Sequence, residues 1–171
     1  MRRLPLPLLL VAVVAVLLMR GGQGDEAGRS DAPAGPSVGR VVRVVDGDTI
    51  RVEVGGRTER VRYIGVDTPE SVKPGSPVEC FGKKASRFNA RLVAGRRVRL
   101  VRDVEERDRY GRLLAYVYRA GDGLFVNARL ARDGYATPLT IPPNVRFAER
   151  FRREAAEARS AGRGLWRACE E

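Results

Sequence analysis

The chain contains no histidine. That absence removes Ser-His-Asp and Cys-His hydrolysis, any mechanism with imidazole as general base or nucleophile, and any zinc site that needs a ring nitrogen. If the chain is an enzyme, it works with carboxylates, Arg, Tyr and a hard metal ion. Lysine is scarce too: Lys73, Lys83 and Lys84 are the only three among 32 basic residues. The rest are Arg, whose planar fork pairs bidentately with phosphate, although the codon composition of a genome produces the same bias. Cysteine occurs only at Cys80 and Cys169, and there is one long apolar run, at the N-terminus.

What is abundant is positive charge. The net charge is +11, and from Ser37 onward 28 basic residues still face 18 acidic ones, leaving +10. The basicity therefore belongs to the part that folds. It favours a polyanionic partner, nucleic acid first and anionic membrane or polysaccharide next, against the plainer reading that it only confers solubility. A chain of 171 residues has room for one domain.

Arg2 and Arg3 precede the apolar run Leu4–Met19, which only Pro5 and Pro7 interrupt. A positive segment followed by an apolar one is the pattern of an export signal. The run is short for a spanning helix, which needs about 20 apolar residues. No Ala-x-Ala follows it, Gly22-Gln23-Gly24 being the nearest small-residue stretch, and no Cys follows for lipid attachment. Residues 1–24 are thus a cleaved signal or a retained signal anchor, with membrane attachment through residues 4–19 in the second case. Both place the domain outside the cytoplasm. Residues 25–37, poor in large apolar side chains, read as a flexible linker, and 38–171 as the folded domain.

The Val-rich run Val41–Val45, the alternating Thr49–Val54 and the return run Arg57–Ile64 predict strands, with Gly55-Gly56 as a hairpin turn. Ala85, Phe88 and Leu92 predict a helix over 82–94, ended by Gly95. Strands at Val98–Leu100 and Leu113–Tyr118 follow, then helices near 126–133 and 145–160. The expected class is α+β: a five-stranded Greek-key barrel of OB type with about three packed helices.

Residues able to do chemistry gather in three places: Asp46-Gly47-Asp48-Thr49; Arg62 with Asp67-Thr68-Pro69-Glu70; and Asp108-Arg109-Tyr110-Gly111-Arg112. Taken singly, each is an ordinary turn. Together they meet the needs of phosphodiester hydrolysis: carboxylates for a hard metal, a carboxylate to direct water, and guanidinium groups to neutralise developing charge.

On these three motifs, in this order and extending to Leu114-Ala115-Tyr116 and Gly164-Leu165-Trp166, the sequence resembles the staphylococcal nuclease (thermonuclease) family. The resemblance covers about residues 39–167. It implies Ca2+-dependent cleavage of DNA and RNA at the P–O5′ bond, leaving 3′-phosphates. By position, Asp48 and Asp67 would be metal ligands, helped by the backbone carbonyl of Thr68. Arg62 and Arg112 would hold the scissile phosphate, Glu70 would orient or deprotonate water, and Asp46 would stand behind the ligands. Arg109, where the prototype has Lys, and Tyr110 would touch the neighbouring phosphate. No protein partner is implied. One stretch departs: Thr137-Pro138-Leu139-Thr140-Ile141-Pro142 carries no aromatic where the prototype has two tyrosines around the base. A non-catalytic nucleic-acid-binding module on the same fold is the alternative, but decay of an active site would have replaced one of Asp48, Arg62, Asp67, Glu70 and Arg112, and all five stand. In an exported chain without His, Cys80 and Cys169 point to a disulfide rather than a metal site, two separate buried thiols being the other possibility.

Overall fold

The computed structural model describes residues 35–71, 75 and 77–169. The expected export segment and most of the linker lie outside them. Among the described residues no helix is long and apolar enough to cross a membrane.

In chain order the elements are β1 (Ser37–Asp46), β2 (Thr49–Val54), β3 (Arg57–Tyr63), β4 (Val66–Asp67), α1 (Gly82–Val93), β5 (Arg97–Val101), β6 (Leu113–Arg119), α2 (Val126–Arg132), β7 (Thr137–Pro138), α3 (Ala148–Ser160) and α4 (Leu165–Ala168). Five strands close a barrel in the order β1-β2-β3-β6-β5, with β5 returning to β1. The β3–β6 pairing is parallel and the other four are antiparallel. This is the expected α+β barrel of OB type.

The alternating strands put Val41, Ile50, Val52, Val61, Val98 and Leu100 inside, each at most 1% exposed. Their polar neighbours, mostly Arg, face water, which is why so basic a chain still closes an apolar core. β1 starts upstream of the expected Val41. Residues 37–40 pair with β5 and the remainder with β2, through two register shifts that bend the strand. Ser37 and Gly39 carry no apolar signal, so periodicity alone does not reveal that extension.

α1 packs Ala85, Phe88 and Leu92 inward as their spacing predicts. α3 begins at Ala148 rather than 145. Asn144, just before it, is tied to a neighbouring loop: Glu105 N–H donates to its Oδ1 at 2.8 Å and its Nδ2 donates to Glu105 O at 2.8 Å. The single-turn α4 was not expected. Leu165 N–H donates to Gly134 O at 2.8 Å, which seats this turn against the end of α2. Cys80 and Cys169 form a disulfide, with Cα atoms 6.0 Å apart and a separation of 89 positions in sequence. By chain entropy a loop of that length is worth about 4–5 kcal/mol.

Asn127, fully buried on α2, joins three elements. It accepts from Val117 N–H at 2.9 Å and donates to Ile64 O at 2.8 Å. These bonds hold the end of β3 beside β6, where the parallel pairing closes the barrel. Replacing Asn127 with Ala leaves a buried N–H and a buried carbonyl short of partners, each costing about 1–3 kcal/mol. Asn127→Ala is expected to lower unfolding free energy by about 2–4 kcal/mol in urea titration; a loss under about 0.5 kcal/mol would show that the bonds are replaceable.

Candidate active site

One end of the barrel, where β1 and β3 finish and β2 and β6 start, carries the chemistry. Asp46, Asp48, Arg62, Asp67, Thr68, Glu70 and Arg112 line a single cavity of about 240 Å³ there. The structure thus gathers seven of the candidate residues from three separate stretches of chain.

Asp-Gly-Asp forms the β1–β2 turn, but its glycine serves a close approach. A Cβ on Gly47 would lie 2.5 Å from Thr68 Oγ1. Thr68 needs that space because its N–H and Oγ1 both donate to Asp48 Oδ2, at 2.8 and 2.9 Å. Asp48 Oδ1 accepts from Thr49 Oγ1 at 3.0 Å. Asp46 does a different job. Its Oδ1 accepts from Gly47 N–H at 2.8 Å and from Ser71 Oγ at 2.5 Å, tying the turn to the segment just after Glu70.

Arg62 stands opposite Thr49 in the β2–β3 register. Its guanidinium pairs with Asp48 Oδ2 and, at 2.6 Å, with Asp67 Oδ1, while Val66 O accepts from Nη1 at 3.2 Å. Two carboxylates from different turns therefore share one cation. Asp67 is held in place by its strand: β4 pairs with β7, Asp67 opposite Thr137. Partial burial is the largest influence on the Asp67 carboxyl and raises its pKa. Arg62 opposes this, Asp48 and Glu79 add to it, and the net direction is upward.

Arg112, at the start of β6, is oriented by Asp108. Oδ2 accepts from Arg112 Nε at 2.6 Å, and Oδ1 accepts the backbone N–H of Tyr110 and of Arg112, each at 3.0 Å. Arg109 and Tyr110 stay outside the cavity. Tyr110 is 67% exposed, its ring 5.4 Å from the Arg112 guanidinium and 4.8 Å from that of Arg109. A second cavity, about 190 Å³, shares Arg62 and Arg112 and is lined on its far side by Leu139 and Ile141.

Other residues here escape the motif reading. Asn89, fully buried, donates to Asp46 O at 3.0 Å and accepts from Tyr63 Oη at 2.9 Å, fixing the turn from below. A polar residue on the apolar face of α1, beside Phe88 and Leu92, was the available signal. Glu79 Oε2 accepts Glu70 N–H at 2.9 Å. Nothing local in the sequence marks that contact.

The donor set is hard: carboxylate, carbonyl and hydroxyl oxygen. Asp48 and Asp67 stand close enough to share a single positive charge, although among the described residues no group of three His, Cys, Asp or Glu side chains forms a metal cluster.

The family model described as Staphylococcal nuclease homologue matches residues 60–168. The thermonuclease of Staphylococcus hyicus is 39% identical over 164 residues, covering 92% of this chain and 95% of that protein. The thermonuclease of Staphylococcus intermedius is 40% identical over 169 residues, covering 97% and 99%. Endonuclease YncB of Bacillus subtilis is 42% identical over 126 residues, covering 72% and 59%. The chain belongs to the staphylococcal nuclease family. Membership supports a phosphodiesterase activity of the nuclease type, and with it the binding of nucleic acid.

Burial alone would raise the Asp108 carboxyl, but the hydrogen bonds from Arg112 and Tyr110 outweigh it and hold it below the ordinary carboxylate range. A depressed carboxyl contributes stability above its unfolded pKa of about 4 and loses it as pH falls through the folded value. Asp108→Asn is therefore expected to be less stable than the parent at pH 7, by a gap that narrows at pH 3. Urea midpoints at the two pH values check this, and an equal gap at both would refute it.

Proposed function

We propose that this domain is a Ca2+-dependent phosphodiesterase that hydrolyses DNA, RNA or both at the P–O5′ bond, giving a 3′-phosphate and a 5′-hydroxyl. The observation that carries the reading is the single guanidinium of Arg62 between Asp48 and Asp67, in one cavity with Arg112 and Glu70. Asp48, Asp67 and the carbonyl of Thr68 would hold Ca2+, which supplies positive charge at a phosphate oxygen.

The chain's own groups do the rest. Glu70 orients a water and takes its proton as the oxygen attacks phosphorus. The P–O5′ bond breaks, its electron pair leaves on O5′, and the proton taken by Glu70 returns through water to make the 5′-hydroxyl. Negative charge on the equatorial oxygens grows toward the transition state, where the Arg62 and Arg112 forks neutralise it. Arg109 and Tyr110, at the rim, meet the adjoining phosphate. Leu139 and Ile141 offer the base an aliphatic wall, which forgoes stacking worth about 1–3 kcal/mol per base. The Arg-Arg-apolar start of the chain and the disulfide both support an extracytoplasmic location, secreted or anchored through residues 4–19.

Kinetics on single-stranded DNA separate this enzyme from a binding module. Glu70→Gln, Arg62→Ala and Arg112→Ala are each expected to lower kcat, by about 10²–10⁴-fold for Glu70→Gln, with smaller changes in KM. Activity is expected to vanish in calcium chelator and to return with Ca2+ but not Zn2+. Near-parental kcat in all three variants, with only KM altered, would turn the site into a phosphate-binding patch. Full activity in chelator would remove the metal.

The polyanion has a path beyond the cavity. Lys83, Lys84, Arg87 and Arg91 line the exposed side of α1, which has no acidic residue and begins beside Glu70. On α3, by contrast, Arg150 and Arg152 are paired with Glu154 and Glu149. Twelve residues of helix span about 18 Å, the length of about five stacked nucleotides. Replacing Lys83, Arg87 and Arg91 together by Ala is expected to reduce the slope of log K against log salt by about 2 for single-stranded DNA, at about 0.7 per phosphate contact. An unchanged slope would take the strand elsewhere.

A further inference from the structure

Glu70 lies on the connection between β4 and α1, and the backbone around it is gripped from several sides. Its N–H donates to Glu79 Oε2 at 2.9 Å, and Glu79 N–H donates back to Glu70 O at 2.9 Å. Gly82, whose N–H donates to Glu79 O at 3.0 Å, packs so closely that a Cβ there would lie 2.5 Å from Glu70 O. Between Glu79 and Gly82 stand Cys80, which is cross-linked, and Phe81, whose backbone is left-handed at φ 68°. A bulky residue holds that conformation only where its surroundings over-determine it. Here the Phe81 ring rests against Tyr135 at 5.2 Å on one side, and the neighbouring disulfide fixes the chain on the other.

The far end of the cross-link is also anchored. Cys169 N–H donates to Leu165 O at 3.0 Å, and Leu165 N–H donates to Gly134 O at 2.8 Å, so α4 ties the sulfur to the end of α2. The disulfide therefore connects the segment that sets the Glu70 backbone to the helical side of the domain. Cys80 is exposed, within reach of a reductant.

We propose that Glu79 and the Cys80–Cys169 disulfide form a positioning clamp for Glu70, so that full turnover requires the oxidised cross-link. Glu79 acts through its acceptor oxygen on the Glu70 N–H and touches no substrate. A dithiol reductant that reaches Cys80 gives up two electrons and two protons, becomes a disulfide itself, and leaves Cys80 and Cys169 as thiols. The segment at Glu79–Gly82 then loses its covalent tie and is held by weaker contacts, and Glu70 samples positions off the line of attack. A nuclease built this way is restrained in a reducing cytoplasm and gains its full rate in an oxidising compartment. The proposal rests on Glu70 directing the water, as argued above.

The test compares kcat and KM on single-stranded DNA with Ca2+ for the oxidised protein, the same protein in dithiothreitol, Cys80→Ala with Cys169→Ala, Glu79→Ala and Glu79→Gln. Glu70→Gln is the reference, and far-UV circular dichroism monitors folding. A displacement of about 1 Å at a reacting group costs up to about 10²-fold. Glu79→Ala and the reduced protein are accordingly expected to lose about tenfold or more in kcat with KM within about twofold. Glu79→Gln keeps an acceptor oxygen and is expected to recover most of the rate, and reoxidation is expected to restore the reduced protein. Unchanged kcat in Glu79→Ala and in the reduced protein overturns the clamp, as does Glu79→Gln failing as badly as Glu79→Ala. If the double cysteine variant loses its folded spectrum, the two Glu79 variants, which leave the cross-link intact, decide. If Glu70→Gln itself keeps its kcat, the hydrolytic reading of Glu70 falls; if Glu70→Gln is inactive while Glu79→Ala is not, only the clamp falls.

Discussion

Asp48 and Asp67 come from different turns and would repel one another if nothing stood between them. The Arg62 guanidinium meets both carboxylates, and much of this end of the barrel is arranged to keep that meeting in place. Asp48 is nearly buried, so its charge has to be compensated at short range. Arg62 does part of this, and the N–H and hydroxyl of Thr68 and the hydroxyl of Thr49 add to it. Those bonds require Thr68 to sit on the backbone of Gly47, which excludes any side chain there. Asp46 and Asn89 then brace the turn from the far side. Removing a link in this chain leaves a charged or polar group short of partners, and in a partly buried setting that costs more than the bond itself contributes.

The same end of the molecule handles cations in two ways. Arg62 and Arg112 are pinned by carboxylates, so their forks are oriented before a ligand arrives. Preorientation matters because a guanidinium that must reorganise during the reaction contributes little to a transition state. The cations on α1 are exposed and have no acidic neighbour within their helix, Lys84 and Arg91 lying over the rings of Phe81 and Phe88. They are suited to loose, salt-sensitive attraction of a strand. Oriented guanidinium groups in the cavity and acid-free cations along the helix thus stand on adjoining elements.

Several side chains contribute without entering the cavity. Asp108 uses both oxygens to fold the 108–112 loop around itself and to set Arg112. Glu79 holds backbone beside Glu70. The disulfide carries that constraint to the helices. The centre is small and made of flexible side chains, so the supporting contacts give it the definition that its own residues lack.

The sequence by itself determined the things that local chemistry controls. Alternation at Thr49–Val54, where a half-buried strand exposes every second residue, and short apolar runs at Val41–Val45 and Leu113–Tyr118 were enough for strands. The spacing of Ala85, Phe88 and Leu92 was enough for α1. The absence of histidine confined the chemistry to carboxylates, Arg, Tyr and a hard metal ion, and the three motifs in order pointed to the family. Tertiary structure alone decided the rest. The parallel β3–β6 closure, the upstream extension of β1 onto β5 and the α4 turn seated on Gly134 depend on partners distant in the chain. So do the roles of Glu79 and Asn127, and the partners of Asn89, whose place on the apolar face of α1 signals burial but not what it bonds. The reason is physical: periodicity and turn chemistry report what a segment does to its own neighbours, whereas a buried hydrogen bond or a shared cation exists only when two remote segments are packed together.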